Sequence, residues 1–179
     1  TSSAASDVYK RQLSNRARLR QALGMPGAPT CALLQEAAAL CREQGDARFE
    51  SRVHIVWAGI LADQGQPAGE RLAATAPLVE AAGFDDMRAE LAVATGQVRL
   101  SEGRWAEAAA AFADARDQCA AMNAAAMVGY AQTGLGVAAA LRGTLLAAER
   151  SLSAAASVGK GAVRDLSLIH ISEPTRQIR

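Results

Sequence analysis

Aromatic side chains make up 4% of this 179-residue chain, and histidine occurs twice, at His54 and His170. A catalytic triad or a histidine-based metal cluster needs several such groups converging on one point, so this scarcity points away from catalysis. Charge of one sign is missing too: 19 basic residues stand against 18 acidic ones. Nucleic-acid binding depends on neutralising several phosphates, and no basic excess is present to do it. Cys31, Cys41 and Cys119 are odd in number and contain no CxxC pair, and the first two stand about 280° apart around a helix. Buried reduced thiols are expected rather than a zinc site or a disulfide, which places the chain in the cytoplasm. The one long uncharged stretch, Ala120 to Leu141, is interrupted by Asn123, Gln132, Thr133 and three glycines, and alanine contributes little to insertion, so no membrane span is expected. Glycines never fall as GxGxxG or GxxxxGK[ST], which excludes the common phosphate cradles, and no strand-like alternation of useful length occurs.

What is abundant is apolar: half of the residues, enough for a folded core. The two ends stand apart from the rest. Asp7-Val8-Tyr9-Lys10-Arg11-Gln12 can be written GAT GTG TAT AAG AGA CAG, whose reverse complement translates as Leu-Ser-Leu-Ile-His-Ile, the residues at Leu166 to Ile171. Ser2 to Gln12 and Leu166 to Arg176 resemble translated adapters of transposase-based sequencing libraries. Residues 1–12 and 166–179 are therefore expected to be adapter-derived and unpacked, flanking an internal fragment of a larger protein. Between them Lys160 is the one lysine against fourteen arginines, as in a GC-rich genome, and the net charge is near −1. His54 is then the one histidine left. It lies among Val53, Ile55, Val56 and Trp57, which suits a partly buried helix residue better than a catalytic base.

A forty-residue spacing links Gly96 to Gly136, Gly103 to Gly143, Ala108 to Ala148, Phe112 to Leu152 and Ala115 to Ala155. Small residues recur where two helices would approach closely and a large one where a gap must be filled, the requirement of stacked helical hairpins. One hairpin is expected over Asp85 to Glu102 and Arg104 to Met122, with Gly103 at the turn and Asp85 and Asp86 at the helix start. The next runs from Asn123, as N-cap, to Leu141, and then from Leu145 to Val158. A more worn pair is expected at Ala47 to Gln64 and Ala68 to Ala82, preceded by a helix from Thr30 to Glu43. Residues 13–29 would be a partial helix and linker, and Lys160 to Asp165 the opening of a further unit. Trp105, Phe112 and Leu152 are expected in the core.

Gly96, Gly103, Trp105, Ala108, Phe112 and Ala115, and then Gly136, Gly143, Ala148, Leu152 and Ala155, resemble the tetratricopeptide repeat (TPR). The resemblance covers roughly Thr30 to Asp165. Arg99 and Ala139 stand where the family usually carries an aromatic, and the period is longer than the family's common one. The expected fold is all-α, an α-solenoid of about three antiparallel TPR-like helix-turn-helix repeats over residues 30–165.

The resemblance implies a protein–protein interaction scaffold, with no catalytic, cofactor-binding or metal-binding residues and with a protein or peptide partner on the concave face. It would place Arg52, Ile55, Asp63, Glu90, Val93, Gln97, Tyr130 and Thr133 on that face. Elongated repeats of this kind look like those attached to bacterial signalling ATPases, kinases and transcription regulators. The alternative is therefore a sensor or linker segment acting on an attached domain of the same chain. A helical-bundle enzyme is a third class, requiring acidic or histidine side chains to converge in one pocket. A repeat array cut within its stack would expose apolar faces and self-associate.

Overall fold

The computed structural model describes residues 2–25 and 27–158, and these are helical almost throughout. Among them eight helices follow one another: α1 (Ser2–Ala22), α2 (Ala28–Glu43), α3 (Ala47–Asp63), α4 (Gly69–Ala82), α5 (Asp85–Ser101), α6 (Trp105–Ala121), α7 (Ala125–Leu141) and α8 (Leu145–Ser157). No strand is present among the described residues. From α3 onward each helix limit lies within a residue or two of its expected place. The fold is all-α, with consecutive helices packed as hairpins of a helical repeat. The Lys160 to Asp165 stretch and the C-terminal adapter-like segment lie outside the described residues.

One turn type, repeated at near-constant spacing, produces this regularity. Gly45, Gly65, Gly103 and Gly143 all have φ between 66° and 75°. At Gly103 the glycine N–H donates to the Leu100 carbonyl and the next N–H, that of Arg104, to the Arg99 carbonyl. This pair of bonds is the Schellman motif, which satisfies the last carbonyls of a helix and requires a left-handed residue. The same two bonds recur after α2, α3, α6 and α7. At the α6 turn the left-handed residue is Asn123, at φ 55°. Asn123 therefore ends α6 and does not cap α7, whose N-cap is Ala124. Asparagine tolerates both positions, and the twenty-residue alternation of turns decides which one it takes.

The described residues divide into two compact units, one up to Ala94 and one from Thr95 onward. In the first, Leu13, Ala17, Leu34, Ala37, Ala38, Cys41, Val53 and Ile60 form a buried cluster, with Phe49, Val56 and Trp57 packed against it. The leader, expected to be unpacked, is part of this unit. Lys10, Leu13, Ser14 and Ala17 are at most 5% exposed and stand at i, i+3, i+4 and i+7, so one stripe of α1 faces the core. The Lys10 ammonium lies 2.9 Å from Asp7 and 2.8 Å from Asp46, which compensates its burial.

In the second unit α6 packs on α7 and α7 on α8. Phe112 is 1% exposed, as expected, but Trp105 is 39% and Leu152 41% exposed. Trp105 is the first residue of α6, next to the turn at Gly103. Leu152 lays its Cγ and Cδ2 against Gly136 while part of its surface stays in solvent.

Candidate functional site: the polar faces of α3, α5 and α7

Asp46 fixes where α3 starts. Its carboxylate accepts the Phe49 N–H at 3.0 Å, satisfying one of the donors the first turn leaves free. Partial burial works against its charge. The Lys10 hydrogen bond and the Phe49 N–H outweigh that, and the carboxyl titrates below its ordinary value. One turn further on, Arg48 and Arg52 stand four apart on one face of α3, and Asp86 and Glu90 stand four apart on α5.

These two pairs meet. Arg48 reaches Asp86 at 2.6 Å, and Arg52 reaches Glu90 at 2.8 Å and Asp86 at 3.5 Å. Burial again opposes the charge on Asp86, but the Arg48 hydrogen bond, both guanidinium charges and the Met87 N–H hold its carboxyl below the ordinary value. Arg48 also covers the Phe84 ring, 5.2 Å from its centroid. Beside this ladder an open pocket of about 340 Å³ is lined by Arg11, Asp46, Arg48, Phe49 and Arg52.

The residues expected on the partner face divide into four groups. Arg52 and Glu90 are half-exposed and bonded to each other. Gln97 on α5 donates to the Tyr130 hydroxyl on α7, which makes a second polar bridge between first helices, in the second unit. Thr133, next to it, turns its hydroxyl back to the Gly129 carbonyl at 2.9 Å. Ile55 and Val93 are each 6% exposed, so they pack between helices and offer a partner little surface. Asp63, at the C-terminal end of α3, is exposed and accepts a hydrogen bond from Gln21 of α1.

Compared with known protein families, curated proteins and solved structures, the chain matches none.

Sequence reasoning missed Arg48, Phe49 and Asp46, took Asp86 as a helix-start residue only and set Arg11 aside with the leader. A signal for the ladder was present: Arg48 to Asp86 and Arg52 to Glu90 are each thirty-eight residues apart, the same offset as Gly65 to Gly103. Matching side chains of successive first helices come together when the repeat carries them to the same height.

A second polar cluster lies between α3 and α4. Arg71 Nη1 stands 3.0 Å from His54 Nδ1, and its guanidinium carbon is 3.6 Å from the Trp57 ring centroid. Arginine can only donate, so Nδ1 accepts and the imidazole is neutral with its proton on Nε2. The His54 and Trp57 rings lie nearly parallel, 6.2 Å apart. Burial and the Arg71 charge lower the affinity of His54 for a proton, and nearby Glu50 offsets part of this. Among the described residues no group of histidine, cysteine, aspartate or glutamate has the arrangement of a metal site. Nor is any described helix long and apolar enough to cross a membrane.

Proposed function

We propose that this chain is a TPR-like protein-binding scaffold. A protein or peptide partner lies on the polar faces of the first helices within a unit. The observation that carries the reading is the Arg52–Glu90 bridge at the repeat spacing, with side chains 37% and 31% exposed. Within the first unit, α3 and α5 are tied by polar side chains that remain half in solvent, which gives that unit a preformed surface carrying hydrogen-bonding groups. The open 340 Å³ pocket beside Arg48 and Arg52 is lined by Phe49 as well. Gln97 and Tyr130 supply the corresponding polar groups in the second unit.

This reading assigns the chain no catalysis of its own. His54 is committed to Arg71 and stacked on Trp57. A cytoplasmic setting suits the buried Cys41, whose thiol burial pushes up to about 11 and keeps it inert.

The test is a photo-crosslinking amino acid placed at position 52 or 130, compared with one at Arg116 on α6, followed by binding measurements with Arg52→Glu and Glu90→Arg chains. The reading expects crosslinks and loss of binding at the first-helix positions, and partial recovery in the charge-reversed double variant. A partner that crosslinks equally from Arg116, or binds both single variants as tightly as the parent, would sink it.

A further inference from the structure

The His54 cluster connects three helices of the first unit through groups that respond differently to one proton. From α4, Arg71 donates to Nδ1 at 3.0 Å and rests on the Trp57 ring. From α3 itself, a Glu50 oxygen stands 3.7 Å from Nε2. From α2, Arg42 holds that same Glu50 oxygen through two nitrogens, at 2.9 and 3.1 Å. Burial works against the Arg71 charge and lowers its hold on the proton, and Cys31 of α2 offsets part of this. α5 brings Asp86 and Glu90 to α3, where Arg48 and Arg52 hold them. α1 meets α3 through Lys10 on Asp46 and Gln21 on Asp63, about two helical turns from His54 on either side.

We propose that His54 is a proton-operated clasp between α3 and α4: neutral, it holds the Arg71 guanidinium on the face of Trp57, and protonated, it turns to Glu50 and releases Arg71. The proton enters from solvent onto Nδ1, the atom whose lone pair receives the Arg71 N–H. Once that lone pair is occupied, the hydrogen bond is lost and two cations face each other at 3.0 Å. Glu50 already lies on the other side of the ring and exchanges part of its bond with Arg42 for one with the imidazolium. Arg71 leaves the indole face, and with it goes the cation–π contact that ties α4 to α3. Histidine is the side chain whose ordinary titration falls at physiological pH, so the clasp opens on mild acidification.

The experiment uses the full chain carrying Trp105→Phe and His170→Gln, in which Trp57 and His54 are the remaining tryptophan and histidine. Trp57 emission and the His54 imidazole NMR signal are followed between about pH 8 and 5, the range in which an unperturbed side chain that titrates is histidine. Both signals should change together, with one midpoint below the ordinary imidazole value, and the emission should shift to the red as the indole loses its cover. In the same background, His54→Gln should abolish the emission change. Arg71→Met should abolish it while leaving His54 titrating, with a midpoint moved upward because the repelling charge is gone. Melting at about pH 8 shows which variants are folded, and the Arg71→Met arm stands even where His54→Gln is not. Emission that stays constant while His54 titrates, or an emission change that survives in either variant, overturns the clasp.

Discussion

A Cβ built on Gly134 would lie 2.5 Å from the ring of Phe112. From the other side Gly96 gives the same ring only slightly more room, with a built Cβ at 2.8 Å. Phe112 of α6 is thus held between α5 and α7, and two helix-interior glycines are the condition for its fit.

Gly134→Ala therefore brings two opposed effects. Alanine gains about 1 kcal/mol of helix propensity over glycine. Overpacking a ring that has no direction in which to retreat costs about 1–3 kcal/mol. The clash should win, and urea denaturation should show a net loss of stability. Adding Phe112→Leu should return much of that loss. A Gly134→Ala chain more stable than the parent would show that the ring can move.

The turns give a pair of substitutions with opposite signs. Gly103→Ala places a Cβ in the left-handed region at φ 72° and should cost about 1–2 kcal/mol. Asn123→Gly removes that strain at the equivalent turn and should stabilise by up to about 1 kcal/mol, reduced by the greater freedom glycine has when unfolded. Thermal melts of the two chains side by side read the difference.

Lys10 and Asp46 should respond unequally to removal. Asp46→Ala deletes the α3 N-cap, worth about 1 kcal/mol, and strips the buried Lys10 of a partner, so it should be clearly destabilising. Lys10→Met replaces the buried cation with an apolar chain of similar length and should be far milder. The pH dependence follows in sign. The Asp46 carboxyl titrates below its ordinary value in the folded chain, so its contribution is full above the ordinary carboxylate range and is lost as pH falls through the folded value. Lys10→Met should flatten that acid limb in a stability-against-pH profile.

Arg52 and Glu90 are half in solvent, so their bridge should add no more than about 1 kcal/mol to stability in a double-mutant cycle. Their substitution then serves as a binding probe with the fold intact. A coupling well above that value would show that the bridge is there mainly for structure.

On α8, Leu145 and Leu146 are each 72% exposed, next to Leu141 at 39%. Concentration-dependent association is expected in light scattering, and Leu145→Ser with Leu146→Ser should reduce it. A parent chain that stays monomeric at high concentration would remove this surface from consideration.

The helix limits were legible because glycine reports its own backbone conformation. Where the chain must turn left-handed, Gly45, Gly65, Gly103 and Gly143 stand in the sequence at intervals that a hairpin repeat explains. Asn123 was misread because asparagine serves equally at the start or the end of a helix, and local sequence does not separate the two. The core role of Phe112 was legible from its spacing, whereas Trp105 and Leu152 share the pattern and lie half in solvent, since a repeat position fixes direction but not depth. The polar face was half legible. Arg52 and Glu90 were singled out separately, but their pairing, and the parallel pair of Arg48 with Asp86, depends on the height at which one first helix stands beside the next.

What the sequence determined by itself is local and periodic: helices, the left-handed residues that stop them, and the alternation of small and large side chains, all set by interactions within a few residues. Only the tertiary structure decided which groups share a site. Lys10 is thirty-six residues from Asp46 and His54 seventeen from Arg71, with at least one turn between the partners in each case. Burial then gives those meetings their consequence, because away from water a charge must find a partner and a single proton can change which partner it keeps.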